Sequence, residues 1–159
     1  MQLLISDANI IIDIESGGLV SQMFRLEYRF GVPDVLFDRE LREQHGHLVT
    51  LGLEVLEVRS DAVRYAETLG ERYRATGAMD LLALALARQE CCPLLSGDKA
   101  LRQVAKKEGV DVRGTIWLVG EMLRANTITR KQARSAYAAM LSNGRRLPED
   151  EIKKQLDPD

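Results

Sequence analysis

Two cysteines, two histidines and one tryptophan in 159 residues leave little room for several common chemistries. The cysteines, Cys91 and Cys92, are adjacent, so they cannot staple distant segments. The start, Met1-Gln-Leu-Leu-Ile-Ser-Asp, has no basic leader-like region. Both features fit a reducing, cytoplasmic setting. No apolar run approaches the ~20 residues of a membrane helix, which argues against a membrane partner. No Gly-rich phosphate loop, Walker motif or spaced cysteine ligand set occurs, and no Ser/His/Asp or Cys/His combination offers a nucleophile. His45 and His47 sit two residues apart, diverge on any helix, and read as a solvated loop. The net charge of −2 gives no global positive field, so any nucleic-acid binding must use local patches.

What is present is an ordinary globular composition, 45% hydrophobic and 29% charged, long enough for one domain with a real core. Gln2–Ser6 reads as a buried strand, and residues 8–14 as a helix that Asp7 can cap. Residues 19–30 read as a second helix, and Val32-Pro33-Asp34 opens a third that runs to about Gln44. Strand patterns recur at 53–58, 93–96 and 110–113. Helices are predicted at about 60–74, 76–90, 97–108 and 114–125. This alternation implies a parallel sheet covered on both faces. Such sheets bind ligands beyond the carboxyl ends of their strands. Two further helices are expected in the tail, at 127–142 with Thr129 as cap and at 147–156. Between Val112 and Arg146 there are seven basic residues and one acid, Glu121.

Four acids stand where apolar runs meet or contain helix starts: Asp7, Glu40, Asp80 and Asp98. A carboxylate beside buried apolar surface costs several kcal/mol unless something pairs with it. Asp7 and Asp98 each follow a strand and open a helix, so each reads equally as a cap. At 100° per residue, Glu40 falls between Leu36 and Phe37 on the core-facing arc of its helix, with Glu43 flanking it. Asp80 is the one acid in the run 78–87, where a first-turn acid is also favoured by the helix dipole. Gathered at one strand-end cleft, the four would suit Mg²⁺ or Mn²⁺, hard ions that take carboxylate oxygens.

The segments Leu4-Ile5-Ser6-Asp7-Ala8-Asn9, Glu40-Leu41, Ala78-Met79-Asp80 and Leu95-Ser96-Gly97-Asp98 resemble, in order and spacing, the PIN-domain family of metal-dependent ribonucleases. The Gly114-Thr115-Ile116 turn and the tail with Leu147-Pro148 resemble a prokaryotic subgroup of it. The resemblance implies a three-layer α/β/α fold with a central parallel sheet. It places the nuclease domain at residues 1–125, with a helical tail over 126–159 packed on or extending from it. It also implies Asp7, Glu40, Asp80 and Asp98 as catalytic ligands of one or two Mg²⁺ or Mn²⁺ ions, Asn9 and Ser96 as supporting polar residues, and hydrolysis of an RNA phosphodiester by a metal-activated water. Many bacterial and archaeal members are dimeric toxins of VapBC-type pairs, silenced by an antitoxin. Some carry a further acid near the last Asp, where this chain has Gly97, Lys99 and Ala100. Lys99, Arg102, Arg39 and Arg42 are the expected RNA contacts. The alternative is a catalytically silent PIN-fold binding or regulatory protein. A haloacid-dehalogenase-type phosphatase also begins strand–Asp, but it needs a second Asp where this chain has Asn9.

Overall fold

The structure, a computed structural model, describes residues 1–158. Its centre is a strand whose residues are almost all buried: β1 (Gln2–Ser6), with Leu4 and Ile5 fully inaccessible. Continuous apolar sequence of this kind is what a strand covered on both faces requires. Around it stand β2 (Tyr28–Pro33), β3 (Glu54–Leu56), β4 (Leu94–Leu95) and β5 (Val112–Arg113). All pairings are parallel, in the order β3-β2-β1-β4-β5. The chain builds outward from β1 to one side, then returns to build on the other. Strand order therefore reverses between β1 and β4, and that is where such sheets open a crevice.

Helices cover both faces. On one lie α6 (Ser60–Arg72), α7 (Ala78–Gln89) and α8 (Lys99–Lys107). Helix α7 touches β1, β2 and β4, and its buried run Leu81, Ala83, Leu84, Ala85, Leu86 and Ala87 explains its lack of a polar face. On the other face lie α1 (Ala8–Ser16), α2 (Val20–Phe24) and α9 (Thr115–Arg124). The tail helices α10 (Arg130–Ser142) and α11 (Glu149–Leu156) pack outside these, burying Ala133, Ala136, Tyr137, Met140 and Leu156. Helix α10 starts with a capping box between Thr129 and Gln132.

Two local expectations fail. Residues 19–30 form no continuous helix: α2 ends at Phe24, and β2 begins at Tyr28. Leu19, Met23, Leu26 and Phe30 repeat at helical spacing and are all buried, yet they reach the core from a cap, a helix, a turn and a strand. The pattern reported burial correctly and conformation wrongly. The helix after β2 is also broken. It comprises α3 (Asp34–Leu36), a π-helical turn over Phe37–Leu41 and α4 (Arg42–His45), followed by α5 (Leu48–Leu51).

Gly17, at the end of α1, packs closely against α10. A Cβ there would stand 2.5 Å from Met140 Cε and 3.2 Å from the Ala136 carbonyl oxygen. Gly17→Ala is therefore expected to destabilise the protein by about 1–2 kcal/mol through overpacking against the tail, read as a lower urea midpoint at unchanged m-value.

Candidate functional site

All four acids sit beyond the carboxyl edge of the sheet, because of how the chain leaves each strand. Asp7 follows β1 directly, and its amide extends the ladder to the Leu95 carbonyl at 3.0 Å. Asp98 follows β4 by three residues. Glu40 lies on the segment leaving β2. Asp80 is in the first turn of α7, which runs back toward the start of β4 and so begins at the same edge.

The caps foreseen for Asp7 and Asp98 form. Asp7 Oδ1 accepts from the Ile10 amide at 3.0 Å, and Asp98 Oδ2 accepts from the Leu101 amide at 2.8 Å. Capping occupies one oxygen and leaves the other free. For Asp7 the free oxygen matters: the residue is completely buried and Oδ2 has no hydrogen-bond partner. Burial pushes its carboxyl up to about 7. Ser96 and the Ile10 amide draw it down, and the charges of Asp80 and Asp13 push it further up. The Ser96 hydroxyl lies near enough to exert that pull, but it also accepts from the Asp98 amide at 3.1 Å and leaves Oδ2 unsatisfied. Asp80 is half-buried and pushed up to about 6, by burial and then by Asp98 and Glu40. The four acids are thus electrostatic neighbours around Asp80.

Glu40 is exposed, not on the core-facing stripe expected of it. The wider π turn breaks the 100° step on which that placement depended, while Leu36, Phe37 and Leu41 stay buried. Asn9 is exposed, and its amide oxygen accepts from Arg145 at 2.9 Å. Ser96 is fully buried between Asp7 and Asp98. Arg102 donates to the Ser96 carbonyl at 2.7 Å. Arg42 pairs with Asp38 and stacks on Phe37, with its guanidinium carbon 5.0 Å from the ring centroid. Lys99 and Arg39 are exposed and make no ion pair among the described residues. Of the histidines, His47 lies in an exposed turn as expected, whereas His45 ends α4 half-buried; both meet Glu15 of α1, His47 Nε2 at 2.7 Å.

Sequence reasoning missed a second buried carboxylate, Asp13, only 7% exposed. It accepts from Arg145 Nε at 2.6 Å and from the Thr115 hydroxyl at 2.9 Å. Its signal was available, since it is the one acid within Ile10–Ile14, the same pattern that singled out Asp80. Its partner was not, because Arg145 lies 132 residues away.

A set of oxygen donors with an orphaned buried carboxylate oxygen fits a hard divalent cation. Yet among the described residues no three His, Cys, Asp or Glu side chains stand in a geometry that could hold a metal ion. The acids are neighbours without being a closed coordination shell. A doubly covered parallel sheet with acids at its switch point has the architecture of a nuclease-type α/β/α fold. The chain belongs to the PIN-domain family, and the model described as "DUF3368: PIN domain" matches residues 3–158. No curated protein matches the sequence. No helix among the described residues is long and apolar enough to cross a membrane.

Two outcomes follow from the buried acids. A carboxyl raised on folding stabilises the folded state fully below its unfolded value of about 4, and that contribution is lost as pH rises through the folded value. Metal-free protein should therefore lose stability between about pH 4 and 7, and Asp7→Asn should remove roughly 2 kcal/mol of that loss, measured by denaturant unfolding in EDTA. Arg145→Ala leaves Asp13 charged and unpaired, and is expected to cost about 3–5 kcal/mol, whereas Lys131→Ala, on an exposed turn of α10, should change little.

Proposed function

We propose that this protein is a metal-dependent endoribonuclease, with Asp7, Glu40, Asp80 and Asp98 as the ligands of Mg²⁺ or Mn²⁺. The observation that carries the reading is Asp7, a carboxylate fully buried with one oxygen unpartnered. Such a group is costly in the protein alone and worthwhile if a cation completes it. PIN domains are generally nucleases, which supports the same chemistry. When bound, the ion would neutralise charge on a phosphate and acidify a water for hydrolysis.

The chain's own residues divide the remaining work. Asp7 is fixed by its cap to Ile10 and by the strand end beneath it, so it presents Oδ2 in one place. Asp80 stands among the other acids, whose like charges and its own burial hold its carboxyl up to about 6, so it would yield its proton where a cation offset that repulsion. Glu40 and Asp98, both exposed, have room to close inward. Ser96 braces Asp98 through its backbone amide.

The toxin role, a cognate antitoxin, a homodimer and a cytoplasmic location are proposed on the family resemblance. A short open reading frame beside the gene would favour the toxin role. A second reading, a PIN-fold binding or regulatory protein without turnover, draws support from the lack of a closed three-ligand group among the described residues.

Purified protein with Mn²⁺ or Mg²⁺ is expected to cleave single-stranded RNA, to stop in EDTA, and to lose at least about 100-fold in rate in Asp7→Asn or Asp98→Asn. Cleavage that survives both substitutions would rule out this site. A folded, metal-binding protein with no cleavage would favour the silent reading.

A further inference from the structure

Beside the acids lies a groove of about 770 Å³ between α8, the turn from β5 into α9, and the tail around Arg146–Glu151. Gly97 and Lys99, which flank Asp98, form its near end. Its charge is lopsided. Lys99, Arg102, Lys106, Arg113 and Arg146 line it, against the carboxylates Asp13 and Glu151. Asp13 is already taken by Arg145 and Thr115. Lys99, Lys106 and Arg146 have no ion-pair partner among the described residues.

The wall also carries Trp117, the sole tryptophan of the chain. Its ring is tilted against Tyr28 at 5.9 Å between centroids, and Arg113 lies over it with the guanidinium carbon at 4.6 Å. Asp111 holds that guanidinium at 2.8 Å. Together Arg113 and Trp117 make a flat shelf beside the unpaired cations Lys99, Lys106 and Arg146.

We propose that this groove is the single-stranded RNA subsite on the Asp98 side of the acids, with phosphates on Lys99, Lys106 and Arg146 and an unpaired base against the Arg113–Trp117 shelf. The inference rests on the nuclease reading and gives its substrate a direction. The strand runs past Asp98 toward the tail, where three unpaired cations gather, against Arg39 alone on the Glu40 side, where Arg42 is engaged with Asp38 and Phe37. Cations alone would suit an acidic peptide equally well. Flat aromatic and guanidinium surfaces among phosphate-binding cations suit a nucleotide, because every base offers a face to stack. A duplex, whose bases are already stacked, cannot use the shelf.

The test is binding of a ten-nucleotide unstructured RNA to the full chain in EDTA, followed by tryptophan fluorescence and, for variants, by anisotropy of labelled RNA. Saturable quenching of Trp117 is expected, with a log–log salt slope of about −2 for three phosphate contacts. Lys106→Ala with Arg146→Ala should weaken binding about tenfold and flatten the slope by about 1.4. Trp117→Leu should weaken binding about tenfold with the slope unchanged, and Trp117→Phe should restore most of it. Unquenched tryptophan, variants that bind like wild type, equal affinity for duplex RNA, or equal affinity for a poly-glutamate peptide would each overturn the proposal. Parallel cleavage assays with Mn²⁺ separate it from the nuclease reading. Cleavage with KM unaltered in the groove variants sinks the groove alone; groove binding without cleavage upholds the groove and sinks the nuclease.

Discussion

A carboxylate held out of water must find a compensating charge or hydrogen bond, and Asp7 has only half of what it needs. Its Oδ1 caps α1, while its Oδ2 has no hydrogen-bond partner. Ser6, Asp7 and Ser96 are all completely buried where β1 and β4 pair. The fold thus holds the acid in a place where its charged form is unfavourable and its carboxyl rises to about 7. Asp80, with Asp98 and Glu40 as neighbours, adds to the same local excess of negative charge.

Asp13 shows what the chain does with a buried acid it means to neutralise by itself. Six residues further along α1, it receives a guanidinium from the tail and a hydroxyl from α9. One helix therefore carries two buried carboxylates, one completed internally and one left open. The completed one pins the tail to the body, together with the Gly17–Met140 contact. The open one faces the switch point of the sheet. We read this difference as a division between structure and function, and the groove walled by the tail reaches from Asp13 to Gly97 and Lys99, the neighbours of Asp98.

Much of this was legible in the sequence where local physics decides. The parallel α/β layering, the caps at Asp7, Asp98 and Thr129, and the core helix α7 all follow from patterns that tertiary context does not override. Strand β2 was not legible, because Leu19, Met23, Leu26 and Phe30 happen to repeat at helical spacing. Glu40's exposure was hidden by a π turn that no periodicity announces. Arg145 on Asp13 and Asn9, the two histidines on Glu15, and the Arg113–Trp117 shelf are long-range or tertiary encounters, which spacing along the chain cannot reveal.

The most direct test of the open carboxylate is calorimetric titration of Mn²⁺ into metal-free protein from pH 5.5 to 8.5, in buffers of differing ionisation heat. Because burial raises the carboxyls of Asp7 and Asp80 to about 7 and about 6, binding at pH 5.5 should release about one proton or more per ion. That release should fade toward zero by pH 8.5 as affinity rises. Failure to bind Mn²⁺, or binding with no proton release anywhere in the range, would contradict the account.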